Sequence, residues 1–136
     1  MPNLKVFIGY NESLSHIVEA GSDFFIMPSR YEPCGLNQLY SQIYGTIPIV
    51  RNTGGLIDTV IPYDKDKENA TGLCIYNQNP DDIYKCVQFA CELYKNTEEY
   101  KKMQINAMSK DFSWNLSAKN YIKVYTDVLN RFINKN

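Results

Sequence analysis

Asp23-Phe24-Phe25-Ile26-Met27-Pro28 and, some twenty residues on, Ile47-Pro48-Ile49-Val50-Arg51 are the stretches that decide the fold. The first is apolar without interruption, the pattern of a strand covered on both faces, and such strands belong to parallel sheets. The second is short and β-branched, and it reads as a strand too. Between them Ser29 to Cys34 forms a loop, and a helix is expected from about Gly35 to Tyr44. Strand, helix, strand in succession is a βαβ unit with a right-handed crossover.

The same alternation extends outward in both directions. Upstream, Lys5-Val6-Phe7-Ile8-Gly9-Tyr10 is β-branched and aromatic and predicts a further strand, after which Asn11-Glu12-Ser13 can cap a helix running to Ala20. Gly21 ends that helix. Downstream, Gly54-Gly55 closes the short strand in a loop, Asp58-Thr59-Val60 makes a helical turn, and Thr71-Gly72-Leu73-Cys74-Ile75-Tyr76 is a fourth strand. Pro62 to Asn69 is polar and charged and reads as an exposed excursion in which disorder is expected. From Asp81 the period becomes helical, because Ile83, Val87, Ala90, Cys91 and Tyr94 fall on one stripe. Two more helices follow, from about Thr97 to Ser109 and from about Asn115 to Ile133, the latter marked by Ala118, Tyr121, Ile122, Tyr125, Val128, Leu129 and Phe132. The class is α/β: a Rossmann-like, mainly parallel sheet of four strands with flanking helices and a C-terminal helical tail.

Composition limits what such a domain can do. The 136 residues carry 14 Lys and Arg against 15 Asp and Glu, a net charge of −1, which argues against a nucleic acid or an anionic membrane as partner. Residues 1–82 hold 5 basic and 10 acidic side chains and residues 83–136 hold 9 and 5, an asymmetry too dilute for a nucleic-acid footprint. With 44% hydrophobic and 21% charged residues the chain can bury an ordinary core and is a single globular domain. Its apolar runs are far below the roughly 20 residues of a membrane span. The N-terminus lacks the pattern of a secretory signal, and a cytoplasmic location is expected. Cys34, Cys74, Cys86 and Cys91 show no CxxC spacing, and with His16 as the one histidine no zinc set is apparent; free thiols fit a reducing compartment.

In sheets of this kind ligands sit outside the carboxyl ends of the strands. That places the candidate site at Gly9-Tyr10, at Ser29 to Asn37 and at Arg51 to Leu56. Glu32-Pro33-Cys34-Gly35-Leu36-Asn37-Gln38 is the most informative segment, since it sets a carboxylate and then a glycine at the start of a helix. Helix N-terminal N–H groups favour an anion such as phosphate, and Gly35 lets it approach the backbone. Glu32, one turn outside, can accept hydrogen bonds from hydroxyls. A carboxylate beside a phosphate site suits a sugar attached to that phosphate.

Pro28-Ser29-Arg30-Tyr31-Glu32-Pro33-Cys34-Gly35-Leu36-Asn37-Gln38-Leu39-Tyr40, Tyr44-Gly45-Thr46-Ile47-Pro48-Ile49-Val50 and Thr53-Gly54-Gly55-Leu56-Ile57-Asp58-Thr59-Val60 resemble the C-terminal donor domain of bacterial glycogen synthases and plant starch synthases. Phe7 to Tyr10, Ser15-His16 and Met108 to Trp114 extend the likeness over nearly the whole chain. The resemblance implies the second half of a two-domain GT-B fold, residues 1–136 being its nucleotide-sugar-binding domain. It implies a retaining glycosyltransferase that moves glucose from ADP-glucose to the non-reducing end of an α-1,4-glucan, with no cofactor and no required metal. By position, Glu32 resembles the carboxylate that holds the donor glucose and stabilises developing oxocarbenium charge. Cys34, Gly35, Leu36 and Asn37 resemble the loop and helix start that meet glucose and the distal phosphate. Tyr10, after Gly9, resembles the ring that stacks on adenine.

Two departures qualify this. Many members of the wider superfamily carry a second glutamate eight residues after the first; Tyr40 stands there, as in the glycogen synthase branch, so no second acidic role is assigned. The resemblance also implies an N-terminal half carrying the acceptor site, a catalytic His and Asp and the upstream Arg and Lys that neutralise the diphosphate. None has a counterpart here, so an excised fragment without turnover is expected. Read from the residues alone, Glu32 can instead cap the helix or pair with Arg30 or Arg51, Tyr10 can be strand-end packing, and His16 suits a core or capping position. Cys34 lacks a nearby histidine to serve as its base. Arg51 and Asp58 read as structural, and Cys74, Cys86 and Cys91 as small buried apolar residues. The alternatives in function are a stand-alone nucleotide-sugar binding module and a related transferase with another acceptor.

Overall fold

The computed structural model describes residues 3–133; the Met1-Pro2 start and the last three positions of the expected domain lie outside them. Three parallel strands, β1 (Phe24–Met27), β2 (Ile47–Arg51) and β3 (Leu73–Ile75), form a sheet in that order. The register sets Phe24 beside Ile47 and Met27 beside Val50, and then Ile49 beside Leu73 and Arg51 beside Ile75. Among the described residues six helices surround it: α1 (Glu12–Ala20), α2 (Asn37–Tyr44), α3 (Gly55–Thr59), α4 (Pro80–Lys95), α5 (Thr97–Met108) and α6 (Trp114–Ile133). The parallel α/β class and the crossover through α2 are as the sequence predicts.

Central β2 explains why an unpatterned apolar run marks the fold. Ile47 and Ile49 face the larger core with Leu73, Ile75, Ala90, Leu93, Tyr100, Met103 and Ala107, whereas Val50 faces Leu56, Val60 and Met27 on the other side. Each such side chain contributes about 1.5–3 kcal/mol by leaving water, so a strand buried on both faces admits no polar alternation. Helix starts follow the side chains that cap them. Asn11 accepts from the Leu14 N–H, Asn79 from Asp82 and Asn96 from Glu99, and acidic residues sit in the first turns of α1, α4 and α5.

Three expectations need correction. Lys5 to Tyr10 forms no strand, and Leu4, Val6, Phe7, Ile8 and Tyr10 are exposed. β-Branched composition makes a segment fit for a sheet, but a strand exists only where a neighbour takes up its backbone groups, and none of the described strands pairs with this one. The sheet therefore has three strands, not four. Pro62 to Asn69 is fastened rather than loose: Pro62 bridges to Gly72, Lys67 and Tyr63 bind Glu99, Lys102 pairs with Glu68, and Asn106 Nδ2 donates to the carbonyls of Glu68 and Ala70. Its charges point to α5, which a search for turn residues does not register. Cys91 is exposed, with Val87 and Tyr94 of the expected stripe, because the side of α4 that packs on the core runs through Ile83, Cys86, Ala90 and Leu93. In α6 no residue is buried, so its apolar stripe, from Trp114 through Phe132, faces solvent. Among the described residues no helix is long and apolar enough to cross a membrane.

Candidate functional site

The loop after β1 and the loop after β2 lie back to back, at the carboxyl ends of the two strands. Gly55 N–H donates to the Glu32 carbonyl at 3.0 Å. At Gly54 (φ +48°) a Cβ would stand 1.9 Å from that same carbonyl oxygen, and at Gly55 it would stand 2.7 Å from the Cys34 carbonyl oxygen. Only glycine permits backbones this close, so the Gly54-Gly55 pair sets where the 32–34 segment lies. Arg51, at the end of β2, holds the preceding turn: its Nη1 donates to the carbonyls of Ser29 and Arg30.

Helix α2 starts from that platform and differs from its neighbours. Its N-cap is Leu36, which offers no side-chain acceptor, and its first turn has no acidic residue. The dipole end is thus left without the neutralising groups that α1, α4 and α5 carry, which favours an external anion. Gly35, at φ +76°, turns the chain into this helix. Glu32 is half-buried, and its carboxylate accepts from Ser29 Oγ at 3.4 Å. Among the described residues it pairs with neither Arg30 nor Arg51 and caps no helix.

A cavity of about 530 Å³ opens beside the start of α2 and is lined by Gly9, Tyr10, His16, Glu19, Leu36, Asn37 and Tyr40, among others. The structure therefore brings four of the expected site residues, Gly9, Tyr10, Leu36 and Asn37, onto one wall system. Glu32, Cys34 and Gly35 lie on the adjoining loop and do not line it. Tyr10 is 90% exposed, which removes the strand-end packing alternative and leaves its ring face free. His16 is structural in its contacts: Nδ1 lies 3.2 Å from Tyr44 Oη, and the ring meets Tyr40 edge-on at 5.0 Å. Glu19 is 2% exposed, and burial pushes its carboxyl above the ordinary value while nearby His16 pulls it partly back.

Two residues of this region escape a motif reading. Gln38 and Gln42 are both fully buried on α2. Gln42 Nε2 donates to the carbonyls of Gln38 at 2.9 Å and Thr59 at 3.1 Å, tying α2 to α3. Gln38 Nε2 reaches the Cys34 carbonyl at 3.1 Å, the Gly35 carbonyl at 3.0 Å and Thr59 Oγ1 at 3.2 Å. Periodicity gives no signal for them: Leu36, Leu39, Tyr40 and Ile43 make the apolar stripe of α2, and Gln38 and Gln42 lie on the opposite side, which is the side the fold buries.

On the other side of β3, Cys74 and Cys86 face a smaller cavity of about 290 Å³ with Tyr63 and Phe89. Burial pushes both thiols up to about 11, which makes them poor nucleophiles. Cys34 is exposed, at the loop.

Comparison with known proteins adds the family. The profile for "Glycosyl transferases group 1" matches residues 3–110. A glycogen synthase of Treponema denticola is 53% identical over 132 residues, covering 96% of this chain and 27% of that protein. One from Aliivibrio fischeri is 52% identical over 122 residues, covering 89% of this chain and 25% of that protein. Among solved structures, the catalytic domain of starch synthase IV from Arabidopsis thaliana bound to ADP and acarbose superposes with a TM-score of 0.77 at 38% identity, covering 88% of this chain and 25% of that one. The chain thus spans about a quarter of the length of these relatives.

Proposed function

We propose, from the premise that the chain belongs to the glycosyl transferases group 1 family, that it is the donor-binding domain of a glycogen- or starch-synthase-type enzyme. The reaction is transfer of glucose from ADP-glucose to the non-reducing end of an α-1,4-glucan, with retention of configuration. The observation that carries this reading is the convergence of an exposed Tyr10, an uncapped α2 start and the Glu32 loop at one end of the sheet. The starch synthase that superposes on this chain is bound to ADP, which supports a nucleotide as the ligand.

Each group has a physical task. Tyr10 stacks on the base, an interaction worth about 1–3 kcal/mol. N–H groups of Gly35, Leu36 and Asn37 and the α2 dipole meet the phosphate that leaves, where negative charge grows during transfer. Glu32, with Ser29 as its side-chain partner, accepts from sugar hydroxyls and stabilises positive charge at the anomeric carbon. The glucan acceptor belongs to the half of the longer relatives that this chain does not span. Taken alone, the 136-residue chain binds donor and does not turn over, because ground-state contacts survive where transition-state ones are incomplete. Binding is weak: lacking one or two charge-assisted phosphate contacts of about 1.5–3 kcal/mol each moves a micromolar affinity toward millimolar.

Saturation-transfer NMR with ADP and ADP-glucose, on the wild type and on Tyr10→Ala and Glu32→Gln, tests the assignment. Tyr10→Ala weakens both ligands, and Glu32→Gln weakens only the sugar nucleotide. Equal loss of both ligands in Glu32→Gln removes the sugar role from Glu32.

A further inference from the structure

We infer that Gln38 is a positioning residue of the donor site, which turns the peptide groups of the 34–36 loop so that the N–H groups of Gly35 and Leu36 face the phosphate. The inference rests on the donor-site reading and adds to it a residue that touches no ligand. In a trans peptide the C=O and the following N–H point in opposite directions. The Cys34 and Gly35 carbonyls both accept from Gln38 Nε2, at 3.1 Å and 3.0 Å, so both point into the protein. The N–H groups of Gly35 and Leu36, on the same two peptides, must then point outward. Among the described residues neither donates to a backbone acceptor.

The other end of the amide is the second observation. Gln38 is fully buried, yet among the described residues its Oε1 has no hydrogen-bond partner, a costly condition for a buried carbonyl. That oxygen stands 2.4 Å from where a Cβ on Gly35 would be, so it closes directly over the turn. An apolar side chain of the same length would avoid the unpaired oxygen, and what it would forfeit is the pair of bonds that orient the loop. Gln42, four residues on, is a built-in comparison. It is equally buried with an equally unpaired Oε1, but it binds the carbonyls of Gln38 and Thr59 and leaves the loop untouched.

Affinities for ADP and for adenosine are measured by NMR shift titration on the 136-residue chain, in the wild type, Gln38→Met and Gln42→Met. Adenosine keeps the base contact and has no phosphate, so a general loss of structure lowers both ligands while a turned loop lowers ADP alone. Gln38→Met is expected to weaken ADP at least roughly tenfold, the scale of one hydrogen bond to a charged group, and adenosine less than about twofold. Gln42→Met leaves the ADP-to-adenosine ratio as in the wild type. Should Gln38→Met fail to fold, Gln38→Leu carries the same comparison, since it removes the donor amide without burying a charge. An unchanged ratio in the Gln38 variants, or an equal change in Gln42→Met, overturns the inference. A wild type that binds no ADP overturns the donor-site reading first, a result the variants are not needed to recognise.

Discussion

Replacing Gly54 with alanine perturbs the contact between the two site loops at its tightest point. Gly54 has φ +48° and ψ −136°, a conformation that side-chain-bearing residues adopt only at a cost of about 1–3 kcal/mol. The new Cβ would also lie 1.9 Å from the Glu32 carbonyl oxygen, which is backbone and cannot rotate aside. The 32–34 segment must move by more than an ångström, and the 3.0 Å bond from Gly55 N–H to that oxygen is lost, for about 1 kcal/mol more. A loss of about 2–4 kcal/mol is expected, a large part of a normal domain's stability. Urea unfolding followed by circular dichroism measures it, with Gly21→Ala as the control: Gly21 has φ −93°, and its Cβ would meet only the Ile17 carbonyl at 3.2 Å. Since Glu32 rides on the displaced segment, affinity for ADP-glucose should fall further than affinity for ADP. A Gly54→Ala loss no larger than that of Gly21→Ala would refute the claim that the glycine pair sets the loop.

Glu19→Gln should stabilise the fold at neutral pH. Burial raises the Glu19 carboxyl above its ordinary value of 4.5, so its contribution to stability is full below that value and is lost as pH rises through the folded-state value; thermal melts at both pH extremes should show the variant's advantage shrinking in acid. Iodoacetamide with mass spectrometry should label exposed Cys34 and Cys91 before Cys74 and Cys86, whose thiols at about 11 are ionised to about one part in a thousand at pH 8. Met103→Ala, in the larger core at 2% exposure, should cost about 2–5 kcal/mol in the same urea assay. Truncation after Lys110 should leave the midpoint nearly unchanged, because α6 buries no side chain; a large drop would mean that α6 packs on the domain in solution.

Much of this was legible in the sequence because one residue type served both the local and the global requirement. Ile47 to Val50 had to be apolar on both faces and reads so, and Asn11, Asn79 and Asn96 cap helices by local geometry alone. Lys5 to Tyr10 departs from its pattern for the complementary reason: a strand's composition lies in its own residues, but its hydrogen bonds lie in a neighbour. The 62–69 excursion is fastened in a way its own residues do not show, because Lys67, Glu68 and Asn106 find partners more than thirty positions apart. Of the site, Glu32, Gly35 and Tyr10 stand out by residue type. Gln38 does not, because its task depends on two carbonyls, and carbonyls are the same at every position.

The most direct test of a donor site at the carboxyl ends of the strands is a ¹H–¹⁵N titration of the wild-type chain with ADP, followed amide by amide. Shifts are expected to concentrate at Gly9, Tyr10 and Gly35 to Asn37, with the Gly35 and Leu36 N–H signals moving farthest. Shifts centred instead on the cavity around Tyr63, Cys74 and Phe89, or none at millimolar ADP, would contradict it.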